Sequence, residues 1–506
     1  MPDILVHVDF KGLPLAPAEL CKLLETVSEG GATGVIFEWE DMLPFDGSLR
    51  ALRAPHAYTA AEVTRVVGTA KELGLEVVPL VQTLGHLEYA LKSEEYAELR
   101  EDPADFGTIC PTSAAAQAFL KDLLEQVVAL HPNSSRVHIG CDEPTLAPST
   151  AASHADGVAG IVADHVCRTA ALLKNIRGDG QNAVGCMMWH DACVGMSDAA
   201  LHALLSAPVR IVCWDYRPAF EPTAASLAFA ERVLAKGEAP YFGSAFKGAE
   251  QCDSVMPDYA ARLANQHAWR QWLARQHSVL ITKRYSRIML QSPYGAMWGV
   301  VLTGWSRFGH TMPLTEPMSA GMAALVAALG VWKRCNKDGA EAEVDAAPPP
   351  DDDWQAIDAA PPADPFTKLC EDVSAARAAV DALETEWRLN TAPATARAPA
   401  PKLRARVLVE ARALVAALDV ADNQLARVRA SGRLRGSADI DEWRAAKIRE
   451  PRERAASIVR AASAGGDGAA ATEGLVARLV STPPTGQQLV GAGIVMGALV
   501  LVALRR

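Results

Sequence analysis

The chain has 506 residues, which suffices for one large domain with a sizeable core and a second, smaller domain. Its 49 basic and 60 acidic side chains give a formal net charge of −11. This balance argues against a nucleic-acid-binding protein and favours a soluble enzyme that acts on uncharged substrates. Ten cysteines occur without any C-x-x-C spacing, several of them in apolar stretches. We expect buried thiols, with neither disulfides nor zinc ligands.

The first residues, MPDILVHVDFKG, enter a strand pattern at once, without a basic start or an uninterrupted apolar core. This pattern predicts that no signal peptide is present. We therefore expect a reducing, cytoplasmic location, with the nucleus as a further compartment.

Short apolar runs alternate with Ala- and Leu-rich helical stretches up to residue 335. Repeated βα units of this kind predict a (β/α)8 TIM barrel over residues 1–335, with an open doubly wound sheet as the weaker alternative. The eight predicted strands are Ile4–Phe10, Gly34–Glu40, Glu76–Gln82, Arg136–Asp142, Val184–His190, Val209–Tyr216, Tyr241–Phe246 and Trp298–Trp305.

Polar and aromatic side chains gather at the C-terminal ends of these strands, and the strand starts carry no comparable set. Barrel enzymes build their active sites from the C-terminal ends, so this asymmetry indicates an enzyme. The residues are Asp9, Lys11, Glu38, Glu40, Asp41, Gln82, His86, Asp142, Glu143, Trp189, His190, Asp191, Trp214, Asp215, Tyr216, Lys247, Trp305 and Arg307.

The remaining chain changes composition. Residues 336–365 are rich in Ala, Pro and Asp and predict an extended linker. An α-helical region follows over 366–465, with helices expected at Phe366–Leu389, Lys402–Val428 and Asp439–Ala462, and then a flexible linker over 466–488.

The last segment, 489–506, is an apolar tail. Its uncharged part, Leu489–Leu504, would span about 24 Å as a helix, which is short of the roughly 30 Å hydrocarbon core of a bilayer. A membrane anchor and a tail docked on the protein are therefore both open interpretations.

The stretch RVHIGCDEP, at 136–144, runs a hydrophobic strand into two adjacent carboxylates, Asp142 and Glu143. Because side chains alternate along a strand, these acids can act together only where the chain leaves the strand. The alternative is a solvated strand end. The indoles of Trp189, Trp214 and Trp305 could form apolar walls against a sugar ring, or could simply cap the barrel. Carboxylates beside indoles suggest glycoside hydrolysis, and adjacent acids fit substrate-assisted chemistry better than two separated acids.

At these residues the sequence resembles glycoside hydrolase family 20, the β-N-acetylhexosaminidases, and within it the hexosaminidase D group. The H-x-G-x-D-E signature of the family is present as His138, Gly140, Asp142 and Glu143. Further similar segments are HVDFKG, EWEDMLPF, PLVQTLGHLEY, CWDY, SAFKGA and LTGW, which extend the resemblance through about residue 310.

The resemblance implies a retaining exo-β-N-acetylhexosaminidase without a cofactor or metal. Glu143 would be the general acid and then the base, Asp142 would hold the acetamido N–H, and Tyr216 would bond the acetamido oxygen. We expect Glu143 to stay protonated beside the charge of Asp142 and the apolar indoles. The expected substrate-binding residues are Trp189, Trp214, Trp305, Asp191, Asp215, His86, Glu40, Asp9 and Arg307, with His138 as a hydrogen-bonded core residue behind them.

Two departures from the wider family concern the sugar hydroxyls. Many members carry an arginine at strand one and Trp-x-Glu at strand eight, whereas this chain has Asp9 and Trp305-Ser306-Arg307. We therefore expect appreciable activity on galactosaminides, whose 4-hydroxyl differs from that of glucosaminides. The expected partners are glycans that end in N-acetylhexosamine; a homodimer and membrane attachment through the tail are further candidates.

Two other functions remain open from the sequence. A metal-dependent barrel hydrolase could draw ligands from His86, His138, Asp142, His190 and Asp191, although no dense ligand motif supports it. A catalytically inactive glycan-binding or scaffold protein would have no need for the proton donor Glu143. Activity in the presence of a chelator, and binding without turnover, separate these functions from the expected one.

Overall fold

The computed structural model describes residues 3–177, 185–221, 224–282, 298–337, 365–391 and 401–463. The chain divides into two compact units, Met1–Pro361 and Pro362–Arg506. The division falls within the predicted linker, and each unit has its own hydrophobic contacts.

The first unit is a closed barrel of eight parallel strands in the order β1 to β8. Each strand pairs with the next, and β8 pairs with β1, for example Leu5 with Val301. The predicted (β/α)8 fold and all eight predicted strands are confirmed. The strands are β1 Asp3–Asp9, β2 Gly34–Glu38, β3 Glu76–Leu80, β4 Arg136–His138, β5 Gly185–Trp189, β6 Val209–Trp214, β7 Tyr241–Lys247 and β8 Gly299–Gly304.

Helices surround the barrel and turn one apolar face towards it. Helix α2 begins with a capping box, in which Thr59 and Glu62 satisfy each other's backbone N–H groups, and its buried residues recur at helical spacing. The helices of this unit are α1 Pro17–Glu29, α2 Ala60–Glu72, α3 Glu88–Leu91, α4 Ala114–Leu130, α5 Pro148–Ala152, α6 Gly157–Arg177, α7 Asp198–Leu205, α8 Ala225–Ala235, α9 Tyr259–Thr282 and α10 Met318–Lys337.

A buried ion-pair cluster closes the N-terminal end of the barrel. The guanidinium of Arg136 donates to Asp3 Oδ2 at 2.9 Å, to the Tyr241 hydroxyl at 2.5 Å and to Glu76 Oε1 at 3.1 Å. These residues are the first of β4, β1, β7 and β3. The expectation that the strand starts carry no comparable polar set was therefore wrong. A charge at the start of one strand meets opposite charges from strands far away in sequence, and such a cluster fixes barrel closure.

The second unit is helical, as predicted. Its helices are α11 Pro365–Thr391, α12 Pro401–Ala430, α13 Ser437–Arg444 and α14 Glu450–Ser463, with a π-helical turn at Ala445–Arg449. Val407 and Ala411 of α12 pack with Leu383 and Ile458. Within the described ranges, no helix combines the length and apolarity that a membrane crossing requires. The predicted tail over 489–506 lies outside the described residues.

Candidate active site

The chain leaves β4 through a turn of left-handed residues. Gly140, Cys141 and Glu143 have φ of 66°, 68° and 46°. A Cβ on Gly140 would lie 1.8 Å from Gln82 Oε1, so a larger residue would have to displace the Gln82 side chain as well as adopt a strained φ. The turn sends the two acids to different environments: the side chain of Asp142 is 11% exposed and that of Glu143 is 61% exposed. Adjacent carboxyl groups therefore reach the same site from different depths.

His86, on the loop after β3, lies between the two acids. Its Nε2 is 3.3 Å from Glu143 Oε2 and 3.5 Å from Asp142 Oδ2, and its Nδ1 is 3.6 Å from Glu88 Oε1. Burial alone would lower the pKa of His86, but these carboxylates outweigh burial and raise it well above the ordinary value. The site thus holds an imidazolium among three carboxyl groups.

The same contacts divide the two acids electrostatically. Burial, together with the charges of Asp191 and Glu38, raises the pKa of Asp142 to about 7 against the opposing effect of His86. Contact with His86 lowers the pKa of Glu143. The expectation that Glu143 is held protonated was wrong for the chain without a bound sugar. Its carboxylate is exposed to water beside a cation, so neither burial nor Asp142 dominates.

Asp191, just after β5, joins the turn to the aromatic residues. Its Oδ2 accepts the backbone N–H of Glu143 at 2.7 Å, and its Oδ1 accepts the indole N–H of Trp214 at 3.0 Å. The ring of Trp214 is stacked on Tyr216, with centroids 5.2 Å apart. One carboxylate therefore fixes both the backbone of Glu143 and an aromatic wall.

The other indoles continue this wall across the barrel. Trp305 donates its indole N–H to the Tyr216 hydroxyl at 3.1 Å, and its ring lies 5.7 Å from that of Trp189. Trp189 is 1% exposed, packs 4.4 Å from the His138 ring and finds no hydrogen-bond partner for its Nε1 among the described residues. Tyr216 and Trp305 remain partly exposed, whereas Trp189 forms the apolar floor.

Beside the rings lies a buried charge cluster from β1 and β2. The Lys11 ammonium is 2.8 Å from Glu38 Oε1, 3.3 Å from Asp9 Oδ1 and 3.4 Å from Glu40 Oε1. It also lies 5.2 Å from the centre of the Trp305 ring, where a cation interacts favourably with the π face. Glu38 Oε2 is 2.8 Å from His7 Nε2. Neither Lys11 nor Glu38 was selected as a site residue from the sequence.

Glu40 makes a further contact that the sequence did not suggest. Its Oε2 lies 2.6 Å from Nε2 of His310, on the loop after β8. Burial raises the pKa of Glu40 and lowers that of His310 to about 4, so the pair is held overall neutral. Arg307, predicted for the site, donates from Nη1 to the His310 backbone oxygen at 3.3 Å and is itself buried.

Three predicted residues have roles that differ from direct sugar contact. The carboxylate of Asp215 points away from the site, accepting from the Arg217 side chain and from Ser226 Oγ at 3.0 Å. Asp9 accepts from the Ser306 N–H at 2.8 Å and from the Lys11 N–H at 2.9 Å, which ties β1 to β8. His138 is fully buried, and its Nδ1 accepts from the Gly140 N–H at 3.1 Å.

No group of three or more His, Cys, Asp or Glu side chains is arranged to hold a metal ion within the ranges that the structure describes. Nine cysteines in those ranges carry free thiols, and Cys141, Cys186 and Cys213 are buried as predicted. What converges at the strand ends is a buried acid, an exposed acid, an imidazole that touches both, and a partly open aromatic wall.

The sequence profile described as "Glycosyl hydrolase family 20, catalytic domain" matches residues 9–314, which contain all of these groups. The chain belongs to glycoside hydrolase family 20. The resemblance noted at the H-x-G-x-D-E signature is thereby confirmed.

Relatives of this family 20 chain include two proteins called hexosaminidase D. The one from Homo sapiens is 31% identical over 337 residues, which cover 65% of this chain and 65% of that protein. The one from Bos taurus is 29% identical over 343 residues, which cover 64% of this chain and 90% of that protein. A solved β-N-acetylhexosaminidase from Bacteroides fragilis NCTC 9343 is 16% identical, with a TM-score of 0.45 over 65% of each chain.

Proposed function

We propose that this family 20 chain is a retaining exo-β-N-acetylhexosaminidase. It removes terminal β-linked N-acetylgalactosamine or N-acetylglucosamine, and the acetamido group of the substrate serves as the nucleophile. The observation that carries the proposal concerns Asp142: its Oδ1 is buried and has no hydrogen-bond partner among the described residues, while Oδ2 faces His86. A buried acceptor without a partner is costly, and an acetamido N–H would satisfy it.

Asp142 acts in the first step as acceptor and counter-charge. The acetamido oxygen attacks the anomeric carbon, the bond to the leaving oxygen breaks, and positive charge spreads over an oxazolinium ring. The Asp142 carboxylate accepts the ring N–H and stabilises that charge in a site shielded from water. Ionised Asp142 is required, and the cation of His86 opposes the effect of burial on its pKa.

Glu143 supplies the proton to the leaving oxygen and then removes a proton from the water that opens the oxazolinium ring. Two successive attacks on opposite faces give net retention. In the free enzyme the exposed Glu143 has a lowered pKa beside His86. A sugar bound over this side chain displaces water, and desolvation raises the pKa towards the value that a general acid needs.

Tyr216 and the indoles enclose the acetamido group. The Tyr216 hydroxyl accepts the Trp305 N–H at 3.1 Å and also hydrogen-bonds the Thr303 side chain. Its proton turns from Thr303 to the acetamido oxygen when the substrate binds. Trp214, held by Asp191, is stacked on the tyrosine ring. These contacts orient the acetamido oxygen towards the anomeric carbon, which lowers the entropic cost of the attack.

Sugar hydroxyls are recognised at the β1, β2 and β8 ends. Here Glu40, His310 and Arg307 form a connected polar edge, in place of the arginine and glutamate that many family members carry. Because the two sugars differ only at the 4-hydroxyl, this edge sets the preference between them. We propose appreciable turnover of galactosaminides for this reason. Cytoplasmic or nuclear location, a homodimer and membrane attachment stay predictions.

The test is release of 4-nitrophenol from its β-N-acetylgalactosaminide and β-N-acetylglucosaminide by the full chain, with and without a chelator. We expect turnover of both sugars that the chelator does not change. Glu143→Gln should lower kcat by about 10²- to 10⁴-fold, the usual contribution of a general acid. Glu98→Gln, an exposed change on the turn Glu94–Leu99, is the matched control and should leave kcat unchanged.

Failure of the folded wild-type protein to cleave either sugar would contradict the proposal and favour a glycan-binding function. Loss of activity in the chelator would instead favour a metal-dependent hydrolase. Retention of full activity by Glu143→Gln would remove Glu143 from the proton-transfer role, whatever the sugar preference.

A further inference from the structure

The turn that carries the two acids is held in a conformation that L-residues rarely adopt. Cys141 and Glu143 both have positive φ, although neither is glycine, and they flank Asp142. Residues persist in this region of backbone space only when the surrounding structure enforces it. Something beyond the sequence of the turn itself must therefore keep it in place.

The Cys141 side chain points into the protein and is fully buried. Its Sγ donates to the Ile139 carbonyl oxygen at 3.4 Å and lies 3.3 Å from Thr83 Oγ1. Burial raises the pKa of this thiol, so it stays uncharged. Cys141 is thus anchored by hydrogen bonds, not used as a nucleophile.

Thr83, on the loop after β3, binds the same Ile139 carbonyl oxygen as Cys141. Its hydroxyl donates to the Ile139 carbonyl oxygen at 2.8 Å. His165 of α6 lies behind it, with Nε2 at 3.1 Å from Thr83 Oγ1. Since the threonine proton is committed to Ile139, His165 must donate from Nε2; burial lowers the pKa of His165 to about 3, which keeps it neutral.

The segment that contains Thr83 also contains His86. Between them, a Cβ on Gly85 would lie 2.0 Å from the Asp142 carbonyl oxygen, so the two loops touch backbone to backbone. A displacement of Thr83 relative to Ile139 would therefore move His86 relative to Asp142 and Glu143. These hydrogen bonds are buried, and they set the geometry of the groups proposed to contact the sugar.

We propose that Thr83 and His165 are positioning residues. Through Ile139 and Cys141 they hold the left-handed turn at 140–143 and thereby set the distances of the Asp142 and Glu143 carboxylates from His86. The inference rests on the proposed function, because it assigns these two residues to the proton-transfer step of that reaction.

The first experiment compares Thr83→Val, which removes the hydroxyl and keeps the shape, with the wild type. We expect kcat to fall about 10- to 100-fold with little change in KM, as small displacements of reacting groups do. The pH profile of kcat/KM should move to higher pH, because both carboxyl groups lose part of the lowering effect of His86. Thr83→Ser restores the hydroxyl and should recover most of the rate.

Thr69→Val is the matched control, since Thr69 Oγ1 accepts from Cys21 Sγ at 3.5 Å between α1 and α2, away from the site. It should change neither kcat nor the pH profile. His165→Phe should act in the same direction as Thr83→Val. The double variant should be no slower than Thr83→Val alone, because the histidine acts only through the threonine.

A second readout does not require turnover. Hydrogen exchange of the 139–144 segment should be roughly tenfold faster in Thr83→Val than in the wild type, as loss of one buried hydrogen bond predicts. Unchanged exchange, or an unchanged pH profile with only a lower melting temperature, would overturn the inference. A wild type without hexosaminidase activity would contradict the proposed function, and the exchange measurement would still decide the role of Thr83.

Discussion

The two halves of the barrel contribute different chemistry to the same end. Strands β1 to β4 bring the cluster of Lys11, Glu38 and Glu40, the imidazole of His86 and the acids of the Gly140–Glu143 turn. Strands β5 to β8 bring the ring system of Trp189, Trp214, Tyr216 and Trp305, with Asp191 as its main carboxylate.

Their backbones differ as well. The five non-glycine residues with positive φ among the described residues are Leu13, Glu40, His86, Cys141 and Glu143, all on loops that follow β1 to β4. Bringing charged groups together costs free energy, because they lose hydration and like charges repel. Along a regular strand, side chains of adjacent residues point to opposite faces and could not converge. Broad rings need only a strand end that faces inward. The strain is therefore stored where charges converge.

The largest effect is expected in the half formed by β1 to β4, here called the charged half, on removal of the Lys11 ammonium. Lys11→Met would leave Asp9, Glu38 and Glu40 without their shared ammonium. Loss of one partner from a buried ionic cluster typically costs about 3–5 kcal/mol, so urea denaturation should show a loss of that order. Lys22→Met, at an exposed pair with Glu19 on α1, is the control and should cost less than about 0.5 kcal/mol. Equal, small losses of unfolding free energy in both variants would mean that water replaces the Lys11 ammonium as the partner of these carboxylates.

A smaller effect, on rate and not on stability, is expected in the aromatic half. Tyr216→Phe removes the proposed donor to the acetamido oxygen and leaves the Trp305 N–H without its acceptor. We expect kcat to fall about 10²-fold, as for the loss of one preorganised donor. The matched control is Tyr96→Phe. The Tyr96 hydroxyl donates to Ser48 O at 3.0 Å outside the site, so its loss should leave the wild-type rate unchanged. Comparable losses in the two variants would point to a general packing effect.

The sequence was sufficient for the barrel because its signals are local. Each strand is a short apolar run bounded by turn residues, and each predicted strand overlaps an observed one. The fourth strand is the exception in length, since it was predicted to run to Asp142 and ends at His138, where the left-handed turn begins. The H-x-G-x-D-E segment likewise identifies the acids without knowledge of distant contacts.

Contacts across the barrel could not be predicted in this way. His310 meets Glu40 at 2.6 Å only because β8 closes on β1, and the two residues are 270 positions apart. Lys11 and Glu38 were recognised as polar strand ends, but the sequence did not predict the buried ion pair that they form. Asp215 was misassigned although a signal existed: strand alternation sends Trp214 and Tyr216 to one face and Asp215 to the other.

The imidazole of His86, within the half formed by β1 to β4, gives the smallest predicted effect. His86→Gln keeps a polar side chain but removes the cation, and His86 lowers the pKa of both Asp142 and Glu143. Both values should rise without it. The proposed mechanism requires Asp142 ionised and Glu143 protonated, so the acid limb and the alkaline limb of kcat/KM should both move to higher pH, by roughly one unit.

The exposed His202 on α7 offers a matched control, since His202→Gln should leave both limbs in place. A shift of the acid limb alone would mean that His86 acts on Glu143 and not on Asp142, because Glu143 has the lower pKa of the two when no sugar is bound. A shift of neither limb would mean that His86 does not set these pKa values, and that burial with the charges of Asp191 and Glu38 sets that of Asp142 instead. In that case the strained position of His86, with φ of 54°, would serve contact with the sugar and not proton transfer.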